Sequence, residues 1–140
     1  MRKLLQAAAL LFLVAAPAAL AETTFNYGML GDTQWTASEW NGAAPKPKMV
    51  PLIVFASQNR FTASAGCNLH SGGYTVQGDR IAFDPKTSTK MACQGESGQA
   101  DQRLVADLKR IVQLKLEANQ LVAYAADGAK VMSLRCTKNC

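Results

Sequence analysis

The chain has 140 residues, of which 49% are hydrophobic, and its formal net charge is +5 at pH 7. This length allows one domain with one hydrophobic core and is short for two. The lysines and arginines are scattered along the chain and form no basic stripe. We therefore expect no nucleic-acid partner, because nucleic-acid binding needs clustered positive charge.

The N-terminal segment has the three parts of a secretory signal peptide. Arg2 and Lys3 supply the positive charge, residues 4–16 are apolar apart from one glutamine, and residues 19–21 are Ala-Leu-Ala. Signal peptidase requires small residues at these last positions, so we predict cleavage after Ala21 and a periplasmic or secreted domain over residues 22–140. The apolar stretch is shorter than the roughly 20 residues that span a bilayer, and we expect no membrane anchor.

The first half of the exported part has the composition of β-strands separated by turns. Short runs rich in β-branched and aromatic residues, bounded by Gly, Asn, Asp and Pro, predict such strands. They lie at residues 34–41, 50–55, 60–65, 74–76 and 81–83. The second and third form one predicted hairpin, and the last two form another, which we expect Asp84-Pro85 to end.

The pattern changes to helical spacing after residue 99. The predicted apolar face contains Leu104, Val105, Leu108 and Ile111, and the polar face contains Asp101, Gln102, Arg103, Asp107 and Lys109. Ser97 is the predicted N-cap. Three further strands are predicted at residues 112–116, 121–124 and 131–134. This order predicts a mainly β fold with one α-helix, in which the helix packs on a small antiparallel, barrel-like sheet.

Four cysteines in an exported chain predict disulfides, although four cysteines allow three pairings. For Cys67 and Cys93 we favour a structural disulfide, while a redox-active thiol and a reduced, buried pair stay open as alternatives. For Cys136 and Cys140 we favour a local disulfide. An extended tail would separate their Cα atoms by about 13 Å, and a disulfide allows no more than about 7 Å, so the tail must turn between them.

Other side chains are candidates for binding. His70 follows Cys67 in a Cys-x-x-His spacing, which suggests a metal ligand or a Cys–His nucleophilic pair, but we favour a solvent-exposed loop histidine and expect no metal or cofactor. Asn68 is predicted to be a turn or capping residue. The large aromatic residues are predicted to form the core, or else to line an apolar pocket if the barrel is imperfectly filled. They are Trp35, Trp40, Phe55, Phe61, Tyr74 and Phe83.

Residues 61–134 resemble the META domain, the HslJ-like family of small secreted or envelope proteins. The resemblance is carried by Ala65-Gly66-Cys67-Asn68, Gly73-Tyr74-Thr75-Val76, Gly78-Asp79 and Ser88-Thr89-Lys90-Met91-Ala92-Cys93, with Gln34-Trp35 and Trp40-Asn41-Gly42 similar to the opening strand. It implies a barrel-like β fold with one helix, heat-inducible or virulence-associated members, and no established catalytic activity. The architecture is also similar to pilotin-like proteins that hold lipid. Unlike many members, this chain has no lipid-attachment cysteine, and it adds Cys136 and Cys140.

Four functional hypotheses follow. The leading one is a non-catalytic, monomeric periplasmic domain that binds an envelope or secreted protein in stress response or envelope maintenance. The second is a pilotin-like carrier of a lipid or another small apolar ligand. The third is a thiol-dependent enzyme, and the fourth is a protease inhibitor that uses the loop over residues 67–73.

Overall fold

The computed structural model describes Ala16 and residues 24–140, so the predicted cleavage site lies outside the described residues. Eight strands form one curled sheet, and one α-helix packs against it. The elements are β1 (Thr33–Trp40), β2 (Leu52–Ala56), β3 (Arg60–Ser64), β4 (Leu69–Gln77), β5 (Arg80–Ser88), α1 (Gly95–Arg110), β6 (Ile111–Glu117), β7 (Gln120–Ala125) and β8 (Lys130–Lys138). The predicted mainly β fold with one helix is confirmed.

The sheet is antiparallel throughout, in the order β5-β4-β3-β2-β1-β8-β7-β6. β1, β3, β5 and β7 therefore finish at the same end of the sheet. We call this the helix end, because α1 connects β5 to β6 there. The other end, where these four strands begin, is called the opposite end. The curl turns one face inward, so side chains along β1, β2 and β3 alternate between buried and more exposed positions, whereas β7 and β8 have continuous buried runs.

Aromatic side chains fill one half of the interior. Phe55, Phe61, Tyr74 and Phe83 are all buried. The ring centroids of Phe61 and Phe83 are 5.1 Å apart, and those of Phe55 and Tyr74 are 5.5 Å apart, both in edge-to-face geometry. Such contacts stabilise a core beyond simple area burial. Leu104 and Leu108 of the helix complete the interior and are fully buried.

Tyr27 bridges the seam between the two edge strands of the curled sheet. Its hydroxyl donates to the Asp79 carbonyl in the β4–β5 turn at 2.8 Å and accepts from the Leu114 N–H of β6 at 3.1 Å. Burial raises the pKa of this hydroxyl above its usual value. The Leu114 amide is a buried donor at a sheet edge, and an unpaired one would be costly. Tyr27 satisfies it without a ninth strand.

The second hairpin is longer than predicted. We expected Asp84-Pro85 to end it, but β5 continues through Pro85 to Ser88. Because β5 is an edge strand, Pro85 can face the side that has no partner, where a missing N–H costs no ladder hydrogen bond. Pro85 pairs with Gly72 at a register shift in β4. A Cβ on Gly72 would lie 1.9 Å from the Asp84 carbonyl oxygen, so only glycine fits there.

The helix also starts earlier than predicted. α1 begins at Gly95, and Ser97 lies inside its first turn instead of capping it. The N-cap is Gln94, whose side chain makes no capping hydrogen bond, and the Ser97 hydroxyl donates back to the Gln94 carbonyl at 2.8 Å. A Cβ on Gly98 would lie 2.7 Å from the Cys93 carbonyl oxygen. The first turn therefore packs directly against the residue that the disulfide holds in place.

Candidate functional site

A disulfide between Cys67 and Cys93 joins two loops at the helix end. Cys67 lies between β3 and β4, Cys93 lies just before α1, and their Cα atoms are 6.1 Å apart. Gly66 precedes the first cysteine with φ +97°, and a Cβ there would lie 1.8 Å from the Lys48 carbonyl oxygen. Only glycine combines this backbone conformation with this close approach. The loop geometry at Cys67 thus depends on its neighbour in the Gly-Cys-Asn tripeptide.

Asn68 attaches the segment before Cys93 to the beginning of β4. Its side-chain carbonyl accepts from the Met91 N–H at 2.8 Å and from the Thr89 hydroxyl at 3.0 Å. Its amide nitrogen donates to Asp101 of α1 at 3.2 Å. As predicted, the amide satisfies backbone groups, and it also contacts the helix. Asn68 and the disulfide therefore hold the same segment, and the Asn68 amide also contacts the sulfur of Cys93.

His70 is not the exposed loop residue that the sequence predicted. It lies in β4, is 6% exposed, and its Nε2 is 2.8 Å from Oδ1 of Asp101. Asn68 and His70 alternate with the exposed Leu69, so both point inward beneath the helix. The prediction failed because it placed residue 70 in a loop. Strand alternation would have turned the apolar Leu69 inward and His70 outward, so the local sequence pattern contained no signal for this burial.

Asp101 and Asp107 were also misassigned, to the polar face of the helix. Both are buried, with 9% and 5% exposure. Asp101 precedes Leu104 by three residues and Asp107 follows it by three, so helical geometry puts all three side chains on adjoining parts of one face. The spacing contained this signal, but the charge of the carboxylates outweighed it in the sequence reading.

Asp107 is held by donors from two elements. Its Oδ2 accepts from Trp40 Nε1 and from the Asn41 amide, each at 2.7 Å, and its Oδ1 accepts from Arg110 Nε at 2.7 Å. The Arg110 guanidinium also donates to the Asn41 side-chain carbonyl. Asp101 therefore attaches the first half of α1 to β4, and Asp107 attaches the second half to the end of β1. Buried carboxylates need such partners.

A groove lies between α1 and the connector over residues 41–51, which joins β1 to β2. We call it the helix–connector groove; its volume is about 350 Å³. It is lined by Trp40, Ala43, Ala44, Pro45, Lys46, Met49, Glu96, Gln99, Ala100 and Arg103. Lys46 and Glu96 form an exposed ion pair from the connector to the helix. The Arg103 guanidinium lies 5.6 Å from the Trp40 ring centroid, within cation–π distance.

The remaining predicted site residues belong to the core or to the tail. Trp35 is buried and its Nε1 donates to the Thr33 hydroxyl at 2.8 Å, while Tyr74 and Phe83 lie in the aromatic cluster described above. Cys136 and Cys140 form the second disulfide, with Cα atoms 5.9 Å apart. Asn139 adopts φ 56°, which supplies the turn that the tail needed.

The arrangement leaves the cysteines without thiol chemistry. The structure contains both favoured disulfides, and no cysteine of the described part is free. Within residues 24–140, no three His, Cys, Asp or Glu side chains cluster in a way that could hold a metal ion. No helix in that same range has the length and hydropathy needed to cross a membrane.

A half-barrel of eight antiparallel strands, closed at one end by a helix and a disulfide, defines the class of protein. The META domain family model matches residues 28–138, so the chain belongs to the META domain family. The match extends beyond residues 61–134 in both directions and includes β1, where Gln34-Trp35 and Trp40-Asn41-Gly42 resemble the family's opening strand, and β2. The first strands are thus part of the family domain.

Solved structures share the fold at low sequence identity. A protein from Burkholderia xenovorans, determined by NMR, is 22% identical with a TM-score of 0.65, and the match covers 86% of this chain and 94% of that one. A DUF4847 family protein from Bacteroides vulgatus is 11% identical with a TM-score of 0.58, over 77% of this chain and 94% of that one. A search of curated proteins gives no match. These likenesses extend to the fold alone.

Proposed function

We propose that this chain is a non-catalytic binding domain, exported to the periplasm, whose ligand is an envelope or secreted protein. The observation that carries the proposal is the distribution of reactive groups at the helix end. The side chains that could perform acid–base or nucleophilic chemistry are bonded to one another below the helix, while the helix–connector groove opens to solvent beside them.

The buried groups support a structural use. Asp101 bonds to both His70 and Asn68, and the described structure contains no buried side-chain nitrogen or oxygen that lacks a partner. Catalytic acids and bases need access to a substrate proton, which these side chains would gain only if α1 moved away. A thiol-dependent enzyme would in addition require reduction of the Cys67–Cys93 disulfide.

The disulfides support the proposed compartment. Disulfides persist in oxidising compartments and are rare in the cytosol. Two of them in this chain agree with export to such a compartment. The lipid-carrier hypothesis ranks second, because Tyr74 and Phe83, which would line an internal cavity, pack against other core rings.

In vivo photo-crosslinking tests the proposal. A photoreactive amino acid is introduced at Gln99 beside the groove, at Thr75 on the outer face of β4, and at Leu116 near the opposite end, all exposed positions. We expect one of these sites to give a protein adduct of discrete mass in the periplasmic fraction, on a chain whose intact mass lacks residues 1–21. The absence of an adduct from every site, or an activity abolished by blocking thiols, would contradict the proposal.

A further inference from the structure

Two arginines on α1 differ in how their charge is balanced. Arg103 and Arg110 are seven residues apart, so they lie on the same side of the helix, two turns from each other. Arg110 is neutralised by Asp107 at 2.7 Å. Arg103 forms no ion pair with another described residue and is exposed above the Trp40 ring. The groove therefore contains one uncompensated cation at a fixed place.

The charge of the other groove residues does not offset Arg103. The only carboxylate that lines the groove is Glu96, and it pairs with Lys46. The net charge of the lining is thus +1, located at Arg103. Because the guanidinium also rests on an aromatic ring, its position is restricted, and a pre-positioned guanidinium binds a carboxylate with less loss of conformational entropy.

The rest of the lining is mostly small and apolar. Ala43, Ala44 and Pro45 come from the connector, Ala100 comes from the helix, and Met49 packs partly against the core. A groove of about 350 Å³ is at the lower end of the size range of small-ligand sites and has room for one or two side chains. The groove thus offers apolar contact next to a single positive charge.

We infer that the helix–connector groove binds a short extended segment of the partner protein, in which an apolar side chain lies next to a carboxylate. The apolar side chain contacts the connector alanines and Met49, and the carboxylate pairs with Arg103. The inference rests on the proposed function and specifies which side chains the partner protein presents to the groove. A protein segment is chosen over a lipid because the groove has room for only one or two side chains and combines an apolar lining with one cation, which suits a peptide with one apolar anchor and one carboxylate.

Peptide titration followed by NMR tests this inference directly. The probe is the blocked tetrapeptide acetyl-Gly-Leu-Glu-Gly-amide, compared with its Leu-Gln counterpart and with octanoate, each added to the isotope-labelled chain with both disulfides intact. The indole N–H of Trp40, which is hydrogen-bonded to Asp107, reports on the groove. We expect saturable shifts of this signal with the Leu-Glu peptide and binding weaker by about tenfold for the Leu-Gln peptide, the usual difference for a charge-assisted contact.

Two substitutions that each remove one positive charge distinguish binding at the groove from a general electrostatic attraction to the helix. Arg103→Gln removes the groove cation, and Lys109→Gln removes an exposed cation of the same helix that does not line the groove. We expect Arg103→Gln to weaken binding of the Leu-Glu peptide by about tenfold and Lys109→Gln to change it less than twofold. Ala44→Leu, which fills the groove from its exposed rim, should abolish the shifts while the spectrum stays folded.

Several results would overturn the inference. They are unchanged Trp40 signals at millimolar peptide, equal effects of the two charge substitutions, and shifts produced by octanoate but not by the Leu-Glu peptide. The last result would favour the lipid-carrier hypothesis. If crosslinked partner adducts form only at Thr75 or Leu116, the partner-binding proposal stands and the assignment of the groove is wrong.

Discussion

The two disulfides lie at opposite ends of the sheet and have very different surroundings. Cys67–Cys93 has a sequence separation of 26 and joins two loops above buried polar groups. Cys136–Cys140 has a separation of 4 and closes an exposed tail at the end of β8. The tail disulfide lies beside the beginning of β1, where Thr137 and Gln34 exchange hydrogen bonds.

The comparison shows that two disulfides in one chain can differ in how much they stabilise the fold. In the chain-entropy account, a 26-residue separation stabilises by about 3.5 kcal/mol and a 4-residue one by about 2 kcal/mol. The first disulfide also holds Cys93 next to the Asn68 amide, which donates to Asp101. Its loss therefore loosens the polar contacts that attach α1, whereas loss of the tail disulfide leaves the core contacts unchanged.

The largest expected effect comes from removing the helix-end disulfide. We expect Cys67→Ala/Cys93→Ala to lower the free energy of unfolding by about 3 kcal/mol, since the unfolded chain regains the entropy of a long loop. Equilibrium denaturation followed by tryptophan fluorescence measures this change, because Trp40 reports on the helix end. A loss below about 1 kcal/mol would show that Asn68 holds the segment without the disulfide.

The next effect comes from the buried carboxylate under the helix. Asp101→Ala leaves the His70 imidazole without its buried partner and removes one of the acceptors of the Asn68 amide, and we expect a loss of about 2–3 kcal/mol. The matched control is Asp84→Ala, which removes an exposed carboxylate paired with Lys86 and should cost less than about 0.5 kcal/mol. Equal losses in the two variants, measured by denaturation, would rule out a special contribution from the buried network.

The strand pattern could be predicted from the sequence, and the polar network could not. Alternating residues and turn residues mark the eight strands because side-chain direction in a strand depends only on local geometry. Asp101 joins α1 to β4 through its contact with His70, a residue that lies 31 positions earlier in the sequence. Such a contact depends on how the sheet curls, and this is a property of the whole chain.

The errors at Pro85 and Ser97 have a similar cause. Proline ends central strands, but Pro85 lies on an edge, and only the strand order shows that β5 has no second partner. Serine is a good N-cap, but Cys93 is held in place by its disulfide, and the helix begins two residues after it, at Gly95. The sequence identified one groove residue, Trp40, as a candidate because it is aromatic. Its contact with Arg103 could not be predicted, because it depends on where the helix packs.

The third prediction compares the two disulfides by whether the cost of removing each one adds to the cost of Asp101→Ala. We expect Cys136→Ala/Cys140→Ala to cost about 1–2 kcal/mol, because the loop that this disulfide closes is short and both cysteines are exposed. Combined with Asp101→Ala, its cost should add, since the sites are distant. The Cys67→Ala/Cys93→Ala pair shares Asn68 with Asp101, so its cost should not add. Additive behaviour in both combinations would remove the distinction between the ends.

The smallest expected effect concerns the hydrogen bond between Tyr124 and Glu117, which contacts neither disulfide. Burial, the hydrogen bond to Glu117 and the charge of that carboxylate together raise the pKa of Tyr124 to about 12. A tyrosine whose folded-state pKa lies above the unfolded value of 10.0 adds stability below pH 10, and this contribution is lost as the pH rises toward 12.

Glu117→Gln should therefore lower the pKa of Tyr124 without returning it fully to the unfolded value, because burial, the largest cause, stays in place. Ultraviolet titration of the variant against the parent chain isolates this residue from Tyr27 and Tyr74, whose surroundings do not change. The variant should lose only a few tenths of a kcal/mol near neutral pH, as expected for an exposed hydrogen bond. A loss as large as that of Asp101→Ala would mean that the β6–β7 hairpin, and not the helix end, limits the stability of the fold.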